Sequence, residues 1–280
     1  MIMSSTSPKH FLVASDFDQT LSFNDSGIVL SELLGIPDFA DKVAGLARLN
    51  LVQQGAELAY LLRHDPEYRR VRKDHLVEVG RRIVLKRNVE QLTRLLPGAI
   101  DGYRFDFRIV SAAPEEVIHS ALEGVVPPEH VIATQLGYDS VSGEINALTR
   151  VTAGFGKVAA VEGLRVTLGV PRDHVVYVGD GSSDIHVMLH VNRGEGFTIA
   201  ASEAGDIPRI AKRTIISDDA VSVLVPVLED IAGCSGAEVR AFFERHGLLI
   251  QDWERVRTDW LTIRGAAAAD SRPVELAVQT

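Results

Sequence analysis

The chain has 280 residues, 46% of them apolar and 24% charged, which is the balance of an ordinary globular protein with room for one large domain carrying an insertion, or for two domains. A formal net charge of −9 argues against broad electrostatic binding to nucleic acid or anionic membranes, and no apolar run approaches the roughly 20 residues that a bilayer span needs. The single cysteine, Cys234, excludes an intrachain disulfide and a cysteine-cluster zinc site and reads as a small buried apolar side chain.

The opening MIMSSTSPKH pairs no basic segment with a long apolar one, so no secretory signal is expected and the sequence implies a cytoplasmic protein. FLVASD (11–16) is apolar and bounded by turn residues, the pattern of a buried strand. From 24 to 104 no strand pattern follows. DFADKVAGLA, QQGAELAYLLRH and KDHLVEVGRRIVL repeat their apolar residues at helical spacing, which predicts an inserted helical cap over 24–104.

Strands return with FDFRIVS (105–111), VIAT (131–134), HVVYVGD (174–180) and GFTIA (196–200). Helical patterns alternate with them in PEEVIHSALEG (114–124), GKVAAVEGLRVTLG (156–169), SSDIHVMLH (182–190) and DAVSVLVPVLEDIAG (219–233), and LGYDSVSGEINALT (136–149) reads as a hairpin-like excursion. The alternation predicts right-handed βαβ units: an α/β fold with a Rossmann-like, mostly parallel sheet, its core formed by 10–23 and 105–232. Beyond Gly233, GAEVRAFFERHGLL and QDWERVRTDWLTI read as two further helices of an extension over 233–264. Phe242, Phe243, Trp253 and Trp260 lie on their apolar sides, for packing on the domain or on a second subunit, so a monomer and a homodimer both fit. The Ala-rich 265–280 reads as a mobile tail.

In such a sheet, ligands bind beyond the carboxyl ends of the strands. Asp16 and Asp18 follow the first strand, Ser111 ends the second, Asp180 ends VVYVG, Asp184 stands where a helix should begin, and Lys157 opens another helix after TAGFG. Each alone is an ordinary turn former, cap or solvated charge. Several carboxylates around one cleft repel one another unless a cation or proton offsets them, and oxygen ligands in that number suit Mg²⁺.

The ordered set DFDQT, the serine of IVSAA, the lysine of GFGK and the paired acids of GDGSSD resembles the four motifs of the haloacid dehalogenase superfamily of phosphatases. With a helical cap between the first two motifs, the chain is most similar to the phosphoserine phosphatase branch, over roughly residues 11 to 232. The resemblance implies that Asp16 attacks phosphorus to form an aspartyl-phosphate, and that Asp18 protonates the leaving oxygen and then deprotonates water. It further implies Mg²⁺ held by Asp16, the Asp18 carbonyl and Asp180, with Asp184 orienting the metal's surroundings, and Ser111 and Lys157 on the phosphoryl oxygens. Dehalogenases in the superfamily lack the second aspartate, so Asp18 favours phosphate chemistry.

A small phosphorylated metabolite is the implied substrate. In the branch an acidic residue shortly after the first motif meets the substrate ammonium, and Asp25 holds that position. The branch also carries an aromatic and, seven residues on, an arginine that suits a carboxylate. RLNLVQQGAEL (48–58) has Leu51 and Leu58 there, Ala112 replaces a usual glycine, and Arg48 and Arg63 are the nearest cations. A phosphotransferase or sugar-phosphate mutase would use the same Asp16 and Asp18, and a non-catalytic phosphate-ligand binder is the reading from another class. His186 and His190 at i, i+4 lack the HExxH context of a zinc pair and read as structural, and the basic RRVRKDH and RRIVLKR read as solvated helix faces.

Overall fold

The protein is described by a computed structural model that covers residues 7–255 and 258–265. Its strands are β1 (Lys9–Ser15), β2 (Tyr103–Pro114), β3 (Val131–Tyr138), β4 (Ile145–Arg150), β5 (Val175–Gly179), β6 (Phe197–Ala200), β7 (Arg213–Ile216), β8 (Leu248–Arg255) and β9 (Asp259–Gly265). They form one sheet in the order β4-β3-β2-β1-β5-β6-β7-β9-β8. From β3 to β9 the neighbours are parallel, and β4 and β8 close the two edges antiparallel.

The period of two along β1 explains both layers. Phe11 and Val13 join the cluster that includes Val176, Val178 and Ile199, while Leu12 and Ala14 join Tyr177, Val161, Val187 and Met188 on the opposite face. The second face is covered by helices α7 (Phe155–Leu168) and α8 (Ile185–Arg193), and the first by α6 (Glu115–Ala121) among others. Strand order reverses at β1, which lies between β2 and β5, so the crevice of the sheet opens at the carboxyl ends of β1 and β5.

Between β1 and β2 the chain forms α1 (Ser26–Leu34), α2 (Phe39–Arg48), α3 (Glu57–His64), α4 (Lys73–Arg82) and α5 (Val89–Leu95). It leaves and re-enters the sheet side by side: Phe23 N donates to Val84 O at 2.9 Å and Lys86 N to Leu21 O at 2.9 Å. No helix among the described residues is long and apolar enough to cross a membrane. The expected helix over 219–233 is broken into a 3-10 turn (Ala220–Val223), a short α segment ending at Pro226, and a π turn (Val227–Ile231), consistent with a proline that has no N–H to donate.

The carboxyl extension departs from expectation. Gly236–Arg245 is helical, with Phe242 and Phe243 buried. QDWERVRTDWLTI, expected as a helix, instead supplies most of the antiparallel pair β8 and β9. Trp253 and Trp260 suggest a helical stripe, but Leu248, Ile250, Leu261 and Ile263 are buried with a period of two. The reason for the strand lies in its neighbour, because β7 would otherwise end the sheet with unpaired backbone groups, and β9 pairs with them. Arg213 of β7 joins the two by an ion pair to Asp259, and it also pairs with Glu229 and Asp230 of the π turn. Trp253 is half-buried against Arg240; the Trp260 side chain and the tail 266–280 lie outside the described residues.

Helices α4 and α6 cross at Gly80, where an added Cβ would meet Val117 O at 2.3 Å and Ser120 Cβ at 2.6 Å. Backbone cannot yield as a flexible side-chain end can. Gly80→Ala is therefore expected to destabilise the fold by about 1–3 kcal/mol, read as a lower midpoint in denaturant unfolding; an unchanged midpoint would refute the close crossing.

Candidate active site

Asp16 stands one residue beyond β1, fixed there because its N–H continues the sheet pairing to Val178 O at 2.9 Å. Its side chain is buried, and Oδ1 accepts from Phe17 N at 2.7 Å. Across from it is Lys157, the third residue of α7, which is completely buried. The ammonium donates to Asp16 Oδ2 at 2.6 Å, to Asp184 Oδ1 at 2.6 Å and to Ser183 Oγ at 3.2 Å.

Asp184 ends the 3-10 turn Ser182–Asp184 after β5 and is itself fully buried. Tyr177 OH donates to its Oδ1 at 2.6 Å, and the N–H groups of Asp180 and Gly181 donate to Oδ2 at 3.1 and 3.2 Å. Gly179 makes the approach of that side chain possible, since a Cβ there would lie 2.4 Å from Asp184 Oδ2. Asp180 is steadied by Thr20, whose Oγ1 donates to Oδ1 at 2.8 Å. Asp16, Asp180 and Asp184 each offer an oxygen, all within 4.8 Å of one another.

Three carboxylates against one ammonium leave an excess of negative charge. Burial pushes Asp16 up to about 6, with Lys157 pulling down and Asp184 pushing further up; burial, then Asp16 and Asp184, push Asp180 up to about 7. Burial alone would lower Lys157, but its two carboxylate partners prevail and raise it. An all-oxygen set with surplus negative charge fits a hard divalent cation such as Mg²⁺.

Asp18 faces the other way, accepting from Ser26 Oγ at 2.7 Å and Ser26 N at 3.0 Å. Burial, reinforced by Asp25, holds its carboxyl well above the usual range, so it retains a proton readily. Asp25 uses Oδ1 to cap α1, accepting from Gly27 N at 2.8 Å and Ile28 N at 3.0 Å. Ser111 lies in β2 where the register with β3 slips between Val110 and Pro114; the strand thus runs three residues past the expected end. Its Oγ accepts from Ala113 N at 3.3 Å.

A cavity of about 340 Å³ is lined by Asp16, Asp18, Asp25, Ser111 and Asp180 together, with Lys157 and Asp184 bonded directly behind them. All seven residues singled out in the sequence therefore meet at one place. Sequence reasoning passed over Thr20, Ser26, Tyr177 and Ser183. The one signal was the hydroxyl of Tyr177 in an otherwise Val-rich buried strand. The pair His186 and His190 is not brought to the site: His190 Nε2 is 2.9 Å from Glu162 Oε1, and His186 packs on Phe155. Neither Arg48 nor Arg63 lines the cavity. The basic segments spend much of their charge locally, as in Arg72 with Ser142 O and Glu144, and Arg82 with Glu78.

The model of the haloacid dehalogenase-like hydrolase family matches residues 13–189, more than half of the 280-residue chain. Among solved structures, a substrate-bound phosphoserine phosphatase complex superposes with a TM-score of 0.60 at 18% identity, covering 77% of this chain and 97% of that one. A phospho-aspartyl intermediate analogue of phosphoserine phosphatase gives 0.59 at 19% identity, covering 77% and 98%. A gene product from Archaeoglobus fulgidus gives 0.62 at 13% identity and covers 94% of this chain and 92% of its own. No curated protein gives a significant match. The structural likenesses establish the fold, and the family match runs from within β1 into α8, the stretch that carries Asp16, Asp18, Ser111, Lys157, Asp180 and Asp184: the chain belongs to the haloacid dehalogenase-like hydrolases, with a fold similar to that of the phosphoserine phosphatases.

Proposed function

We propose that the protein is a Mg²⁺-dependent phosphatase that hydrolyses a small phosphomonoester through an aspartyl-phosphate on Asp16. The observation that carries this reading is the pairing of Asp16, held against a buried lysine, with Asp18, kept ready to hold a proton, on one cavity at the sheet's switch point. An Asp16 carboxylate oxygen attacks phosphorus as the bond to the leaving oxygen breaks, and Asp18 gives its proton to that oxygen. Water then attacks phosphorus, Asp18 takes back a proton, and the bond between phosphorus and Asp16 breaks to restore the carboxylate. Ser111 and Lys157 bind and orient the phosphoryl oxygens. Asp16, the Asp18 carbonyl and Asp180 would hold Mg²⁺, with Asp184 fixing their orientation, and the bound ion would offset charge on the phosphoryl group. Residues 24–104 act as a helical cap that excludes water while Asp16 is being phosphorylated, the substrate being a small metabolite met in the cytoplasm.

Phosphate release from a panel of small phosphomonoesters is the direct test. Release should require Mg²⁺, stop with EDTA, and fall by roughly a thousandfold or more in Asp16→Asn, the scale at which loss of a covalent nucleophile is felt. Transfer to an added alcohol in preference to water would instead favour a phosphotransferase.

Stability should report the metal independently of turnover. The folded values of Asp16 and Asp180, about 6 and about 7, exceed the ordinary 3.8, so the metal-free fold binds more protons than the unfolded chain between those limits. Its stability should fall as pH rises from about 4 to 7. Saturating Mg²⁺ should flatten that slope and raise the melting temperature near neutral pH, an effect that Asp180→Asn should abolish. A slope indifferent to Mg²⁺ would count against the cation site.

A further inference from the structure

The charged side chains that line the cavity are of a single sign. None of the described residues lining the cavity is Lys or Arg, yet Asp25 and Glu57 both line it in addition to the catalytic aspartates. Glu57 opens α3, is nine-tenths buried at 9% exposure, and uses one oxygen to anchor itself, Oε2 accepting from Gly55 N at 2.8 Å. Asp25 likewise spends only Oδ1, on the cap of α1. Among the described residues, the second oxygen of each carboxylate has no hydrogen-bond donor.

The segment that brings Glu57 here is seated on the catalytic loops. Gly55, at a φ of +89°, lies so close to Ser183 that a Cβ would come within 2.5 Å of the serine Cβ, and Gln53 Oε1 accepts from Phe155 N at 3.0 Å, at the start of the helix that carries Lys157. The rest of this wall is apolar: Phe39, Val43 and Leu58. A leaving group that fills this space meets two carboxylate oxygens without donors, an aromatic ring and aliphatic carbon. An ammonium suits all of these, by ion pairing with the carboxylates and by attraction to the ring face. A carboxylate on the same leaving group would find no counter-ion and two like charges.

On the basis of the phosphatase reading above, we propose that Glu57, with Asp25, selects the phosphomonoester of a small amino alcohol that lacks a carboxylate, and rejects phosphoserine. Glu57 is thereby a specificity-determining residue, and Leu58 adds aliphatic carbon to the same cavity lining.

The test compares kcat/KM of the full chain with Mg²⁺ on phosphoethanolamine, its neutral analogue 2-hydroxyethyl phosphate, phosphoserine and p-nitrophenyl phosphate. Phosphoethanolamine should exceed phosphoserine by at least about tenfold, with the neutral ester between them. Glu57→Gln should bring the ratio of amine to neutral ester close to one, through KM more than kcat, and Glu57→Asp should restore part of that ratio; a residue that only supported α3 would lower all esters alike. Because the ratio is internal to each variant, loss of folded protein does not mimic the result. Hydrolysis of p-nitrophenyl phosphate together with a preference for phosphoserine, or an unchanged ratio in Glu57→Gln, would overturn the assignment of substrate class alone. Failure to hydrolyse any of the four would overturn the phosphatase reading on which it rests.

Discussion

Lys157 is the only buried lysine among the described residues, and its ammonium holds Asp16 on one side and Asp184 on the other at 2.6 Å each. An unpaired ammonium at that depth would cost several kcal/mol, so α7 can insert its third residue there only if both carboxylates are in place. The dependence runs the other way as well. Asp16 and Asp184 belong to loops after β1 and β5, and without the lysine two buried carboxylates would repel across the switch point of the sheet. The three-residue ion network therefore joins three separated parts of the sequence, and the hydrogen bonds of Tyr177, Asp180 and Gly181 to Asp184 fix its lower half.

Above that network the site is assembled from elements that tolerate its charge. Asp16 and Asp180 bring carboxylate oxygens within 4.8 Å of each other and of Asp184, while Asp18 turns to Ser26 at the start of α1. Burial and the neighbouring Asp25, with no lysine paired to it among the described residues, are what raise the proton affinity of Asp18, against the opposing pull of the Ser26 hydroxyl and amide. Two aspartates at i and i+2 would share one face of an extended chain, but beyond β1 the chain turns, with the N–H groups of Thr20, Leu21 and Ser22 donating to Phe17 O, and that turn places Asp16 and Asp18 in different electrostatic surroundings. The helices between β1 and β2 then supply the remaining wall, with Gln53 and Gly55 pressed against the loops of Phe155 and Ser183.

The acidic motifs were legible because they stand at strand ends, where an apolar run stops abruptly and carboxylates begin. DFD after FLVAS and GDGSSD after VVYV show this directly. Thr20, Ser26 and Ser183 left no such mark, because a hydroxyl in a turn has many uses and only its partner reveals which one applies. Glu57 was equally silent in sequence, as an acidic residue in the first turn of a helix needs no ligand to explain it. The extension beyond Gly233 failed differently: its tryptophan spacing suggested a helix, while the open edge of β7 selected a strand.

The sequence by itself determined the alternation of core strands and helices through β6, the helical character of the insertion between β1 and β2, and seven of the residues that meet at the site. These follow from local periodicity and from residue types that leave few alternatives. Tertiary structure alone decided the ninefold extent of the sheet, the orientation of Asp18 toward Ser26 and the absence of a cation from the wall bearing Asp25 and Glu57 among the described residues. The physical reason is that an edge, a hydrogen-bond partner and the net charge of a cavity belong to pairs of segments far apart in the chain, and no local pattern encodes which segments will meet.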